Sequence, residues 1–237
     1  MNLVDIITGP QDPSLSEALG EYVSELLPEF KAVLSEHPLD VPGEGCCSVS
    51  EAFWLYALTK SLEPEIAVES GTFEGYSLHF LCAAMPSGST VYSFDPGCRP
   101  KYRLPNVHYC RQDWTTLGKE TFLGRRCLVF FDDHLNHRRR LHEAYARGIR
   151  HALFHDNYLT ASQSHIPIRF VNMLGMARRS FTFENMRNDA IFTDTSRNPQ
   201  AFRWLTYVEL ETPALLWRRL WRLYRMACAA RNPYGEF

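Results

Sequence analysis

Several patterns that identify common classes of protein are missing from this sequence of 237 residues. Its seven cysteines are an odd number without regular spacing, and only Cys46 and Cys47 are adjacent. This argues against a disulfide framework, and no C-x-x-C pair indicates structural zinc. The sequence has no apolar run long enough to span a bilayer, and its start lacks the basic and apolar regions of a signal peptide. We therefore expect a cytoplasmic protein in a reducing compartment.

A strong charge of either sign is also missing. The chain has 25 Lys and Arg against 27 Asp and Glu, and the net charge of −2 provides no global field that favours nucleic acid. Local arginine clusters at 138–140 and 218–225 are interpreted as solvated helix faces. With 45% hydrophobic and 22% charged residues and no internal repeat, the composition suits one globular domain with a full core.

Two phosphate-binding motifs are missing as well. No G-x-x-x-x-G-K-[ST] motif supports a triphosphate site, and Gly71 and Gly75 lie four residues apart without the third glycine of a dinucleotide fingerprint. Residues 66–95 nevertheless have the order strand, glycine turn, helix and second strand ending at Asp95, which builds a nucleotide pocket in α/β proteins. Glu69, just before the turn, would repel a pyrophosphate but suits an ammonium or sulfonium group. The pattern indicates S-adenosylmethionine rather than NAD.

Hydrophobic patterning predicts two N-terminal helices followed by alternating strands and helices. The helices are expected over residues 14–36 and from a cap at Ser48 or Ser50 through Lys60. The later helices are expected at Tyr76–Ala84 and His137–Arg147, and the strands at Ile66–Ser70, Thr90–Phe94, Val107–Tyr109, Cys127–Phe131 and His151–Phe154. This alternation predicts the α/β class with a doubly wound, mostly parallel sheet.

The predicted organisation is one structural domain with three segments. Residues 1–45 form an N-terminal helical segment, 46–160 a cofactor-binding α/β core, and 161–237 a C-terminal decoration. Within the decoration, residues 165–203 are expected to be a lid or substrate region, and Thr206–Leu210 a late strand. An amphipathic helix at Leu215–Ala230 could lie on the sheet, on a membrane surface or on a second subunit. Packing on the sheet or on a second subunit is the more common use of such a helix, and the second of these would form a homo-oligomer.

An acidic cluster follows two of the predicted strands. Asp132 and Asp133 come after one strand, and Asp156 and Asn157 come after the next. Both strand ends lie at the carboxyl edge of a parallel sheet, where ligands bind. Carboxylates this close need neutralisation, and a set of oxygen ligands suits Mg²⁺ or another hard divalent cation. The structural alternative is that Asp133 caps a helix while Asp156 and Asn157 only turn the chain.

The turn Glu-Ser-Gly-Thr-Phe-Glu-Gly-Tyr-Ser at 69–77 resembles the first motif of class I S-adenosylmethionine-dependent methyltransferases. It is most similar to the catechol O-methyltransferase-like enzymes, in which Gly-x-x-x-Gly-Tyr-Ser is typical. The resemblance implies that Glu69 and the backbone of Gly71–Gly75 surround the methionine part, and that Asp95 holds the ribose. The residues of the turn expected to bind the cofactor also include Thr72 and Ser77, whose alternative role is helix capping.

The resemblance extends to the adenine side of the pocket. Asp113 is implied to accept a hydrogen bond from the adenine amino group. Trp114 could stack on the adenine, or it could be an ordinary core residue.

The resemblance also covers the acidic cluster. Metal-dependent enzymes of this kind have an Asp after the fourth strand and an Asp-Asn pair after the fifth. Asp132 best matches the first, with Asp133 as an alternative, and Asp156 and Asn157 match the pair. The implied reaction is methyl transfer to a hydroxyl of a small molecule, with the metal holding substrate oxygens.

The chain departs from that pattern at Leu135, where a catalytic lysine is expected. His134 and His137 are the nearby candidates for a general base. A histidine near the metal is similar to macrocin O-methyltransferase-like and cephalosporin hydroxylase-like proteins.

Two further hypotheses keep the fold and change the function. In the first, His134, His137 and His155 with a neighbouring aspartate bind iron and support a hydroxylase. In the second, the chain is a non-catalytic binding module whose C-terminal helix docks a partner.

Overall fold

A computed structural model describes residues 2–8, 14–39, 46–97, 100–155, 168, 176–183 and 205–211. The helices are α1 (Leu3–Thr8), α2 (Ser14–Ser35), α3 (Val49–Leu62), α4 (Tyr76–Ala84) and α5 (His137–Ala146). The strands are β1 (Ile66–Ser70), β2 (Thr90–Phe94), β3 (Val107–Cys110), β4 (Cys127–Phe131), β5 (His151–Phe154), β6 (Ala177–Phe183) and β7 (Leu205–Leu210). The amphipathic helix that the sequence predicts at 215–230 lies outside the described residues.

The seven strands form one sheet in the order β3-β2-β1-β4-β5-β7-β6. Strands β1 to β5 pair in parallel, whereas β7 is antiparallel to both β5 and β6. The doubly wound, mostly parallel sheet that the sequence predicts is therefore confirmed. The strand order runs outward from β1 through β2 to β3, and then continues with β4 on the other side of β1. The carboxyl ends of β1 and β4 therefore lie side by side at the centre of the sheet, where ligands bind in such folds.

The sheet has a hydrophobic core on each face, and β4 divides its side chains between them. Leu128 and Phe130 belong to the core that includes α3 and α4, and Val129 and Phe131 to the core that includes α5. All five residues of β4 are buried, as expected of a central parallel strand with both faces covered. Rigid packing on both sides fixes the position at which the chain leaves β4.

Helix α3 is buried over most of its length, because it packs beneath α1 and α2 as well as against α4. Its N-terminus is fixed by a capping box, in which Ser48 and Glu51 each accept a hydrogen bond from the other's backbone or side chain. The cap confirms Ser48 as one of the two starts that the sequence predicts. Within the described ranges, no helix is long and apolar enough to cross a membrane.

Two elements differ from the sequence-based expectation. The short helix α1 was not predicted. The segment Ala177–Phe183, expected in a lid or substrate region, forms the edge strand β6 paired with β7. Arg178 and Arg179 are exposed on this edge, and such charges protect an edge strand from pairing with other chains. The arginines obscured the alternating pattern by which strands are predicted.

Candidate functional site

The glycine turn after β1 passes directly over the end of β4. Gly71 has a φ of +99°, and a Cβ atom placed on it would lie 2.2 Å from the carbonyl oxygen of Asp132. The Gly71 N–H donates to the Phe94 carbonyl at 2.8 Å, and the Asp132 N–H donates to the Ser70 carbonyl at 2.8 Å. Only glycine fits this position, because both the backbone angle and the contact exclude a side chain. The predicted cofactor turn is thus fixed at the centre of the carboxyl edge.

Asp95 organises the turn from the end of β2. Its Oδ2 accepts from the backbone N–H groups of Thr72 at 3.1 Å and Phe73 at 2.8 Å, and its Oδ1 accepts from Gly97 at 2.7 Å. Phe73 adopts a φ of +45° in this arrangement and exposes its ring. The residue predicted to hold a ribose therefore also shapes the loop beside it.

Glu69 lies beneath the turn and is fully buried. The Ser77 hydroxyl, from the first turn of α4, donates to Glu69 Oε1 at 2.7 Å. Burial raises the pKa of Glu69 to about 8, although the hydrogen bond from Ser77 opposes the shift. The carboxyl group is therefore largely neutral at pH 7, and a cation placed beside it would favour its ionised form.

Thr72, which is also buried, shares a hydrogen bond with the Ser93 hydroxyl. Gly75, with a φ of +92°, precedes the first residue of α4. The six residues that the sequence assigns to the methionine and ribose parts thus belong to β1, the turn, α4 and the end of β2. Their contact with a cofactor remains a prediction.

On the predicted adenine side, Asp113 is already engaged by the protein. It accepts from the Arg140 guanidinium at 2.8 Å and from the Thr115 N–H at 2.9 Å. Burial alone would raise the pKa of Asp113, but the bonds from Arg140 and Thr115 hold it well below its usual range. Trp114 has no exposed surface and packs edge-on to Phe131, with ring centroids 5.5 Å apart. This geometry favours the core alternative for Trp114, since no part of its ring is open to a ligand.

The two aspartates that follow β4 have different partners. Asp133 Oδ2 accepts from Ser70 Oγ at 2.6 Å and from Arg140 Nε at 2.8 Å, and its Oδ1 accepts from the Leu135 N–H at 3.1 Å. The cap of α5 is not Asp133, as one alternative proposed, but Asn136, whose side chain accepts from the Arg138 N–H. Asp133 instead ties the end of β1 to α5 through Arg140.

Asp132 belongs to a second buried cluster, which we call the buried triad and define as Glu51, His155 and Asp132. The Nδ1 atom of His155 lies 2.6 Å from Asp132 Oδ1, and its Nε2 atom lies 3.2 Å from Glu51 Oε1. The exposed fractions of the three side chains are 0% for His155, 7% for Glu51 and 10% for Asp132. Glu51 is not recognisable as a site residue from the sequence, because its role in the capping box already explains it.

The two histidines proposed as bases have contrasting surroundings. His134 is exposed on the loop after β4, where it adopts a φ of +54°. His137 is buried: it is 2% exposed, and its Nδ1 accepts from the Ile168 N–H at 3.0 Å. A catalytic role for either histidine remains a prediction.

The predicted metal ligands can be compared with the structure only in part, because Asp156 and Asn157 lie outside the described residues. Across the ranges that the structure describes, no group of three or more His, Cys, Asp or Glu side chains is arranged to hold a metal ion. Asp133 does not fit as a ligand, since its two oxygens already accept from Ser70, Arg140 and Leu135. Asp132 fits better, because His155 orients its carboxylate at the edge of the sheet and a tenth of the side chain is exposed.

No protein-family model matches this sequence, and no curated protein matches it either. Among solved structures, the chain is similar to cofactor-bound Rv0187 from MTB, with 14% identity, a TM-score of 0.52, and coverage of 88% of this chain and 94% of the other. The O-methyltransferase TomG from Streptomyces achromogenes, in complex with SAM, gives 14% identity, a TM-score of 0.49 and coverage of 87% and 93%. An O-methyltransferase from Bacillus cereus, in complex with SAH, gives 12% identity, a TM-score of 0.47 and coverage of 87% and 94%.

The likeness to Rv0187 spans most of both chains and is a likeness of fold. The chain has a Rossmann-like, doubly wound α/β fold. In this fold the glycine turn, Asp95 and the two aspartates after β4 all lie at one edge of the sheet.

Proposed function

We propose that this protein is an S-adenosylmethionine-dependent O-methyltransferase that acts on a small hydroxylated molecule. The observation that carries the proposal is the turn at Gly71, which is closed by Asp95 and underlain by the buried carboxyl of Glu69. The turn leads into the N-terminus of α4, where backbone N–H groups and the helix dipole favour a carboxylate such as that of methionine. Similar structures with bound SAM or SAH are consistent with this choice of cofactor.

Each polar group of the turn has a separate part in the proposed complex. Asp95 Oδ1 accepts one bond from the protein, and its remaining acceptor site would bind a ribose hydroxyl. Glu69 would favour the positively charged part of the cofactor, because ionisation of its buried carboxyl becomes favourable beside a cation. Exclusion of water by the buried floor of the site would strengthen both interactions.

We also propose that a divalent cation, with Mg²⁺ as the first choice, assists the reaction. Asp132 would hold it together with Asp156 and Asn157. When bound, such a cation lowers the pKa of a coordinated hydroxyl and orients it. Asp133 is assigned to the Arg140 network instead. His134 is the better placed of the two candidate bases, because it is exposed on the loop after β4 whereas His137 is enclosed.

The cofactor is tested by calorimetry with S-adenosylhomocysteine and S-adenosylmethionine, for which we expect binding in the micromolar range, about −8 kcal/mol. The control is Asp95→Asn, which should weaken binding through loss of the charge on the ribose acceptor. If neither compound binds to the folded wild-type protein, the proposed function is wrong.

The metal and the acceptor class are tested by transfer of a labelled methyl group to a panel of small hydroxylated compounds. Activity should disappear with a chelator and return with excess Mg²⁺. Asp156→Ala and Asn157→Ala should abolish transfer while cofactor binding persists. Return of activity with iron and a hydroxylated product would support the hydroxylase alternative instead, and unchanged biological activity in Asp156→Ala would support the non-catalytic module.

The proposal also covers the partners of the protein, its location and its oligomeric state. We expect a small-molecule substrate, no nucleic-acid partner, a cytoplasmic location and a homo-oligomer formed through residues 215–230. Light scattering of the full chain, compared with a chain ending at residue 212, tests the oligomer. If the full chain and the shortened chain have the same number of subunits per particle, residues 215–230 do not form the oligomer.

A further inference from the structure

The buried triad is the least expected group of side chains near the site. Three ionisable side chains come from three separate parts of the chain: Glu51 from the first turn of α3, Asp132 after β4 and His155 after β5. The two contacts of His155 are at the distance of an ion pair, 2.6 Å to Asp132 and 3.2 Å to Glu51. Burial of such a group costs free energy unless the geometry is good, so its presence calls for a role.

His155 lies between the two carboxylates. Its Nδ1 atom faces Asp132 and its Nε2 atom faces Glu51, each at the distance of an ion pair. The imidazole is therefore held at both ends and cannot rotate without losing a partner. As a result, the Asp132 carboxylate is held from one side by a ring whose orientation is itself fixed.

Glu51 anchors the other end of the triad to the backbone. Its Oε2 accepts from the Ser48 N–H at 2.8 Å and from the Ser48 hydroxyl at 2.9 Å, which leaves Oε1 directed at His155. The same capping box starts α3, a helix that is packed on several sides. The position of Oε1 is thus determined by the core of the protein rather than by the surface.

We infer that His155 and Glu51 are positioning residues for the methyl-transfer step, and that they hold Asp132 in the orientation in which it serves the acceptor hydroxyl. The role of Asp132 in this statement rests on the proposed function, whereas the geometry of the triad does not. Asp132 also lies beneath the cofactor turn, since its backbone carbonyl occupies the space that a Cβ of Gly71 would need. One residue therefore connects the cofactor turn with the triad.

Two amide substitutions of His155 separate positioning from stability. In His155→Asn the side-chain amide takes the place of Nδ1 and can still donate to Asp132, but it does not reach Glu51. In His155→Gln the amide takes the place of Nε2 and can donate to Glu51, but it does not reach Asp132. Each variant keeps one buried polar contact and loses the other, so we expect similar losses of thermal stability.

The two variants should differ in catalysis. We expect kcat to fall about 100-fold in His155→Gln and to remain within about fivefold of wild type in His155→Asn, because misplacement of a positioned group by about 1 Å has an effect of this size. The KM for S-adenosylmethionine should change little in both. Equal losses of kcat in the two variants, or none in either, would overturn the inference, because a merely structural triad would not distinguish them.

An NMR measurement, which needs no catalytic turnover, tests the geometry of the buried triad by itself. In protein labelled with ¹⁵N-histidine, the ring of His155 should give a strongly deshielded N–H proton that exchanges slowly, because the ring is fully buried. His155→Gln should remove this resonance. Ser48→Ala should retain it, because the variant loses the hydroxyl bond to Glu51 but keeps the backbone bond of residue 48 to Glu51 Oε2. Its absence from the wild-type spectrum would overturn the geometry. Failure of the wild type to bind the cofactor would instead reject the proposed function, whatever the proton shows.

Discussion

At the scale of single residues, we expect the ionisation of the Glu69 carboxyl to change when the cofactor binds. Burial raises its pKa to about 8, so the group is mostly protonated at pH 7. If the charged part of the cofactor lies beside it, binding should ionise the carboxyl and release about one proton. Calorimetry of cofactor binding at pH 7, in two buffers of different ionisation enthalpy, measures this release. Glu69→Gln should bind without releasing the proton, and equal release by both proteins would assign it to another group.

Gly71 is the residue at which the fold tolerates least change. In Gly71→Ala the new Cβ would lie 2.2 Å from the Asp132 carbonyl oxygen, in a backbone region that disfavours side chains. We expect a loss of about 3 kcal/mol or more of unfolding free energy, together with loss of cofactor binding. Gly124→Ala is the control, because Gly124 also has a positive φ but nothing lies near its Cβ position. It should lose only about 1 kcal/mol in urea unfolding. Similar losses in the two variants would mean that the contact with Asp132 is unimportant.

At the scale of secondary-structure elements, Arg140 joins α5 to the loops after β3 and β4. Its side chain is 2% exposed and bonds to Asp113, Asp133 and Glu143. Arg140→Met should lose about 3 kcal/mol of unfolding free energy, since the carboxylates of Asp113 and Asp133 would remain partly buried without their cation. Arg139→Met is the matched control on the same helix, because Arg139 is 61% exposed and pairs with Glu143 alone. Its loss in denaturant unfolding should be at most about 0.5 kcal/mol. If Arg140→Met loses as little unfolding free energy as Arg139→Met, the Arg140 network does not hold the two loops in place.

At the scale of the whole molecule, the sequence predicts the central sheet well because local and long-range signals agree there. Cys127–Phe131 is a continuous apolar run and is buried on both faces, and Ser48 with Glu51 forms the cap that the sequence indicates. The predictions fail where the partner is distant in sequence. The strand β6 is recognisable only by its pairing with β7, and Glu51 reaches His155 across more than a hundred residues. Nothing in a local pattern reports such contacts, so the triad could be found only from the fold.

The acid side of the stability profile depends on buried histidines that remain neutral in the folded protein. Burial, aided by the charge of Arg150, lowers the pKa of His151 to about 4, and burial also lowers the pKa values of His37 and His79. Between pH 6.5 and 4 the unfolded chain therefore binds the proton of His151 and the folded chain does not. The unfolding free energy should fall as pH decreases through this window, with a contribution from His151 of at most about 1.4 kcal/mol per pH unit.

The variant His151→Phe isolates this contribution. His151 stacks on Tyr207 between β5 and β7, and phenylalanine can retain that stacking while it removes the titrating group. Loss of the hydrogen bond between His151 and the Tyr207 hydroxyl lowers stability by a similar amount at pH 7 and at pH 5. The difference between wild type and variant, measured by urea unfolding from pH 7 to pH 4, should therefore change in favour of the variant as the pH falls. Parallel curves would show that His151 does not contribute to acid unfolding.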